Sequence, residues 1–365
     1  MRITYLDHLR AICMVFVVAL HAYYLIDYAP AAPFAVLIYN FGMGTFFIIS
    51  GYVLAATLPD GPNWPHLKDR LRSLAWPLAT GLLLVNPLTL ALIHDGFNAA
   101  WAQDVLSRAV SGRLFVHLWF LFSLMGFVCA VPLILRALRS AVWAKATSIN
   151  IPAAYIATAI TLVAAAVQML VAGTIGLELP VPFDGFTSYA WAYVVGLALY
   201  YHPKAWEAVH KPGPLPFVIA GLFWLAMIDG WATPGTTLSH MLHAARIASS
   251  TAAISFGLLW TFRRFFNRTT AVWSFISAGA LTTYILQWLV LHALLTPLTA
   301  LGLEGGMLFT ALIICTLAIK LPTHHFIVSR VPLLALMLNG TPLSQRPAQS
   351  DKPAQLRPDA QPSSS

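Results

Sequence analysis

The sequence predicts an all-α polytopic membrane protein, with about ten transmembrane helices and both termini in the cytoplasm. Three observations carry this expectation. Of the 365 residues, 59% are hydrophobic and 9% charged, where a soluble domain carries about a quarter charged residues. The apolar residues gather in runs that, all but one, reach the about 17 to 25 residues needed to cross a bilayer. Between those runs the basic residues sit in short clusters, and 17 of the 21 fall on one side of the membrane, the bias expected of cytoplasmic loops.

Taken in order, the runs lie at 9–27, 34–57, 73–93, 115–135, 151–172, 187–201, 215–231, 245–265, 273–297 and 306–328. The sixth is the shortest, and the Trp and Tyr residues at its ends suit an interfacial belt. With the N-terminus inside, the cytoplasmic cations include Lys68, Arg70 and Arg72, then Arg136 and Arg139, Arg263 and Arg264, and Lys320 with Arg330. Arg108 and Arg113 fall in an outer loop, and Arg10 and Arg246 lie inside spans. The net charge of +8 therefore anchors loops, and a nucleic-acid partner is excluded. Asn86-Pro87 should kink the third span. The apolar N-terminal run meets no small-residue cleavage pattern and is read as the first span, not as a signal peptide. Residues 340–365, rich in Pro, Gln, Ser and Ala, should form a disordered cytoplasmic tail.

The unusual residues concentrate in the first two spans. Arg10 and His21 are eleven steps apart, ~1100° or three turns and ~20°, so in one helix they share a face ~16 Å apart. Ionisable groups inside hydrocarbon line polar cavities or functional sites by default. The bland alternative is a snorkelling Arg with a His hydrogen-bonded inside the bundle. In the second span, Gly42, Gly44, Ser50 and Gly51 permit close helix packing, or the Ser-Gly-Tyr stretch opens the backbone toward a cavity. Lys68, Arg70 and Arg72 form a basic loop that suits phosphate, although positive-inside anchoring explains it equally well. The outer loop from His94 to Leu114 offers room for a polar acceptor. His117 and Trp119 follow at the outer mouth of the fourth span, where position alone favours belt chemistry. Tyr284 and Gln287 place polar atoms in the ninth span.

Other candidates carry less. His240 and His243 have helical spacing, but no acid or cysteine completes a set, so a solvated face is expected and no metal site. Cys13, Cys129 and Cys315 read as small buried residues. None of the 13 acidic residues falls at mid-membrane, which speaks against a proton-coupled carrier.

Four stretches together resemble the acyltransferase 3 family of bacterial inner-membrane O-acyltransferases: YLDHLRAICMVFVVALH, holding the Arg-to-His spacing of Arg10 and His21; FFIISGYVL; KDRLRSLAWP; and HLWFL at 117–121. The order and the HLWFL wording look closest to the glucan biosynthesis protein C type, associated with succinylation of periplasmic glucans. The resemblance covers residues 1–335 and implies a ten-span, inner-membrane enzyme of the transferase class that moves acyl groups. Two positions depart from it: Gln287 stands where the family writes His in a Tyr-Leu-x-His element, and Ser73 where Arg is common.

The resemblance implies acyl-CoA as co-substrate, no permanently bound cofactor, a carbohydrate acceptor and a lipid surround. Arg10, Lys68, Arg70 and Arg72 would dock the phosphates, since guanidinium groups hold phosphate oxygens bidentately. His21, with an imidazole's ordinary pKa of ~6.5, would act as general base on a sugar hydroxyl. Ser50, Gly51, His117, Trp119, Tyr284 and Gln287 are the candidates for the oxyanion donors and the cavity wall. Direct transfer and a covalent acyl-enzyme both remain open. The rival readings are a glycan, lipid or acyl-group carrier or flippase without transferase chemistry, and a membrane scaffold.

Overall fold

The computed structural model of the chain describes residues 3–58, 61–139, 181–211, 218, 222 and 237–342, and the regular structure among them is helical throughout. The order is α1 (Thr4–Ile26), α2 (Ala32–Ala56), α3 (Trp64–Ile93), α4 (Ala99–Val110), α5 (Trp119–Leu138), α6 (Val181–Tyr201), α7 (Pro203–Val209), α8 (Thr237–Phe265), α9 (Ala271–Ala278), α10 (Ala280–Ala300), α11 (Gly305–Thr323) and α12 (Pro332–Asn339). Five helical stretches among the described residues are long and apolar enough to cross a membrane: Thr4–Ile26, Trp64–Ile93, Arg113–Leu138, Ala280–Ala300 and Gly305–Val328. A sixth apolar helix, Phe41–Ala56, is shorter. The described residues are thus all-helical in their regular structure, and the chain is a multi-pass membrane protein. The expected spans at 151–172 and 215–231, and nearly all of the expected tail, lie outside the described residues.

Packing is set by the small residues of α2. A Cβ on Gly51 would overlap the Tyr193 carbonyl oxygen of α6, and one on Gly196 would overlap the Ile48 carbonyl of α2. The two backbones therefore touch, as small-residue interfaces in membranes allow. A Cβ on Gly44 would likewise meet the Thr251 side chain of α8. One residue on, Thr45 Oγ1 and Ser255 Oγ share a 2.7 Å hydrogen bond between the same two helices. The apolar core, including Leu9, Phe47, Phe127, Tyr193 and Phe256, sits where α1, α2, α5, α6 and α8 meet. Of the two readings open for Ser50-Gly51, close packing is the one the structure takes: α2 runs unbroken through it.

Three other expectations change, and the one at Asn86-Pro87 gains its local detail. The basic stretch at 68–72 is no loop but the first turns of α3. In the same helix the Asn86-Pro87 step is accommodated by a π-turn at Gly81–Val85, where the Asn86 N–H reaches back to the Gly81 carbonyl, a usual remedy for a helix losing a donor. The ninth expected span, 273–297, is interrupted at Gly279 between α9 and α10, where a side chain would press on Leu321 of α11 and on His324 just beyond it. The 94–114 stretch also folds, into α4, capped by Asn98 accepting from the Trp101 N–H at 2.9 Å. Asp104 accepts from Arg108 at 2.8 Å and pairs with His94 at 3.1 Å; these hydrogen bonds hold its carboxyl below the usual range.

The α2–α6 contact yields a paired prediction. Gly51→Ala should destabilise the folded protein by about 1–3 kcal/mol through overpacking, while Gly42→Ala, whose new methyl meets only Ile38 at ordinary distance, should change little. Thermal unfolding of both variants in detergent measures the difference.

Candidate active site

α1 carries Arg10 and His21 on one interior stripe, and the rest of the site is built around that stripe. His21 lies five residues before the end of α1, ~7.5 Å at ~1.5 Å per residue, nearer that end than the middle of the helix. Its ring meets His117 with centroids 5.9 Å apart and Trp288 at 5.1 Å. His117 meets Tyr284 at 5.3 Å. The Gln287 amide lies beside His21.

His117 is 3% exposed, so the belt position expected for it is overturned; it belongs to the interior. The backbone brings it there. Val116 adopts φ 43, ψ −110, a conformation that a β-branched residue takes only when its surroundings force it. Asn86 Nδ2 donates to the Leu114 carbonyl at 2.7 Å, and the Tyr284 hydroxyl donates to the His117 carbonyl. His117 Nε2 donates to the Ile285 carbonyl at 3.3 Å, because a carbonyl oxygen only accepts. That contact assigns the proton to Nε2 and leaves Nδ1 as the free lone pair. Nδ1 of His117 and Nδ1 of His21 are both buried without a partner, as are both amide atoms of Gln287 and the indole N–H of Trp288.

At the other end of the stripe, Arg10 sits 4.0 Å from Asp7 and over the Phe46 ring at 5.3 Å. It keeps 31% of its side chain accessible, while its Nε is buried without a partner. The helical twist of α3 divides the three expected phosphate ligands. Lys68 and Arg72, four residues apart, share one face and are exposed, with Arg72 paired to Asp69 at 3.5 Å. Arg70 points the other way, within electrostatic reach of Arg10 and of the buried Tyr193 hydroxyl, which has no hydrogen-bond partner. The cationic group in the bundle is therefore Arg10 with Arg70, not the whole triad.

The two ends are joined by a run of touching rings. Phe46 meets Phe120 at 4.9 Å, Phe120 meets Tyr284 at 5.7 Å, and Tyr284 meets His117. Ser50, buried with an unpartnered hydroxyl, lies one turn from Phe46 on the same face of α2, at the Arg10 end and away from the imidazoles. Gly51 serves the α2–α6 contact, and Trp119 stacks on Tyr189 at 5.7 Å; neither is part of the imidazole cluster. The side chains of His240 and His243 lie outside the described residues, and among those described no group of His, Cys, Asp and Glu is arranged to hold a metal.

Sequence reasoning missed Lys320. Expected in the cytoplasm, it is fully buried, its ammonium donating to the Thr283 carbonyl at 3.1 Å and within electrostatic reach of both imidazoles. The signal was present: Lys320 falls inside the apolar run 306–328, where a cation is a site marker as readily as an anchor. Trp288, next to Gln287, was also passed over.

Residues 3–325 match the family model described as the acyltransferase domain, acyltransferase 3. No curated protein and no solved structure matches the chain. The hydrogen bond that seats His117 can be checked without a substrate: Tyr284→Phe leaves the His117 carbonyl buried and unpaired, and should lower stability by about 1–3 kcal/mol in thermal unfolding of the detergent-purified protein.

Proposed function

The chain belongs to the acyltransferase 3 family, a membership that makes it a membrane acyltransferase, and on that basis we propose that it is an O-acyltransferase of the bacterial inner membrane. It takes an acetyl or succinyl group from cytosolic acyl-CoA and transfers it to a hydroxyl of a periplasmic or envelope glycan, in the manner of the glucan biosynthesis protein C type. About ten spans, with both termini in the cytoplasm, place Arg10 toward the cytosol and His21 toward the periplasm. The observation that carries this reading is the pair of imidazoles in ring contact, each with an unpartnered Nδ1, on the stripe that begins at Arg10.

In this proposal Arg10 and Arg70 hold the phosphates of acyl-CoA, with guanidinium geometry suited to phosphate oxygens. The pantetheine arm follows the ring path past Phe46, Phe120 and Tyr284 and brings the thioester carbon to the two imidazoles. His21 accepts the proton of the sugar hydroxyl, whose oxygen attacks that carbon; the C–O bond forms, the C–S bond breaks, and the thiolate is protonated as it leaves. The free Nδ1 of His117 supplies a second base beside the first. The orphan donors of Gln287 and Trp288 suit the developing oxyanion better than Gly51 or Trp119, because they adjoin His21. Direct transfer and an acyl-imidazole intermediate on His21 use the same groups.

The test is acyl transfer by the folded, membrane-inserted protein. His21→Ala and Arg10→Ala should each lower the rate, by a factor of about 10²–10⁴ for the base and about 10² for the half-buried cation. Arg70→Ala should raise the KM for acyl-CoA, while Lys68→Ala and Arg72→Ala leave it unchanged. Full transfer by folded His21→Ala overturns the assignment of the base, and vectorial uptake without any turnover of acyl-CoA by the wild type replaces the enzyme with a carrier. Mass spectrometry of envelope glycans from cells with and without the gene identifies acceptor and acyl group together.

A further inference from the structure

At the Arg10 end of the stripe, four helices bring polar groups into one region and leave them short of partners. Arg10 of α1 and Arg70 of α3 are within electrostatic reach of each other, and so are Arg70 and the Tyr193 hydroxyl of α6. Tyr193 is 1% exposed and Ser50 6%; both hydroxyls, and the Nε of Arg10, are buried without a hydrogen-bond partner. Ser50 stands one turn after Phe46 in α2. Because helical side chains lean toward the N-terminal end, it faces the turn whose ring lies under the Arg10 guanidinium at 5.3 Å. Tyr193 is held by its stack on Phe127, with centroids 4.9 Å apart. Among the described residues the carboxylate that meets Arg10 is Asp7, at 4.0 Å, and none pairs with Arg70.

The two guanidinium groups repel each other, and each orphaned hydroxyl beside them forgoes a hydrogen bond. A tetrahedral anion resolves both at once, since its oxygens accept from guanidinium N–H and from O–H donors together. Distance decides which anion fits. Arg10 and His21 are ~16 Å apart along α1. In an acyl-CoA, fourteen bonds run from the thioester carbon to the phosphorus esterified to pantetheine; an extended chain advances ~1.1–1.2 Å per bond, ~16 Å in all. The 3′-phosphate of the ribose lies eight bonds further, at ~25 Å. With the thioester at the imidazoles and the arm extended along the ring path, the pantetheine phosphate reaches Arg10 and the 3′-phosphate passes beyond it.

We propose that Arg10, Arg70, Tyr193 and Ser50 form a site for the single phosphate at the end of the pantetheine arm, so that the unit recognised is an acyl-4′-phosphopantetheine thioester and the rest of the nucleotide is not read. The inference rests on the acyltransferase reading above; it adds Tyr193 and Ser50 as phosphate ligands and defines the smallest donor. Lys68 and Arg72, exposed on the other face of α3, take no part. A phosphomonoester carries about −1.5 to −2 charge at neutral pH, so removing the nucleotide leaves the site at least as much charge to hold.

The experiment compares four thioesters, each made in acetyl and in succinyl form: those of CoA, of dephospho-CoA lacking the 3′-phosphate, of 4′-phosphopantetheine and of pantetheine. The full chain purified in detergent is given each one, and thermal stabilisation and release of thiol on adding envelope glycan are read. The three phosphorylated donors should bind and turn over with closely similar KM. The phosphate-free thioester should lose about 100-fold in KM, because it leaves the cations unpaired. Tyr193→Phe, which keeps the ring on Phe127, should raise the KM of the phosphorylated donors about 10-fold at unchanged kcat, the size of one hydrogen bond to a charged group, and that penalty should vanish on the phosphate-free thioester. Ser50→Ala should act in the same way and serves if Tyr193→Phe does not fold; the wild-type donor series needs neither variant. A comparable loss on removing only the 3′-phosphate or the nucleotide, or a Tyr193→Phe penalty equal on all four donors, overturns the site while leaving the acyltransferase reading intact. Failure of wild type to bind or turn over any of the four overturns both.

Discussion

Inside a bilayer a charge or a polar hydrogen has only the protein to turn to, and that constraint orders this bundle. Arg10 is answered by Asp7, by the face of Phe46 and by remaining accessible surface. Lys320 is answered by a single carbonyl. His117 is seated by the Ile285 carbonyl through one nitrogen and left free at the other. The groups that are only partly answered cluster along one stripe of α1 and the facing sides of α10 and α11.

Rigid packing keeps those groups in place. The α2–α6 contact, with glycines on both helices, brings backbone against backbone and aligns Phe46 with the rings of α5. The π-turn in α3 moves Asn86 to where its amide ties down the Leu114 carbonyl. From there the left-handed turn at Val116 delivers His117 into the interior. A side chain positioned by three hydrogen-bonded elements has little conformational freedom left to lose.

Much of this was legible in the sequence where a single helix decided it. Arg10 and His21 share a face because eleven residues make almost a whole number of turns, and no neighbour can change that. The helical class and the apolar runs follow from composition. The same reasoning misplaced His117, because its position depends on a strained turn and on Tyr284, 167 residues away. It grouped Lys68, Arg70 and Arg72 as one patch, because a loop keeps neighbours together, whereas a helix sends every second residue to the opposite side. It set Lys320 in the cytoplasm, because a cation near the end of an apolar run has two physical solutions, to snorkel or to be enclosed.

The sequence alone determined what is local: the apolar lengths, the three-turn spacing of guanidinium and imidazole, the membership in a family of membrane acyltransferases. Only the tertiary structure decided which polar groups meet, since contact across helices depends on crossing, register and the close approach that a missing Cβ permits. It paired two histidines 96 positions apart in the chain, separated Arg70 from its neighbours, and enclosed one lysine among unpaired hydroxyls.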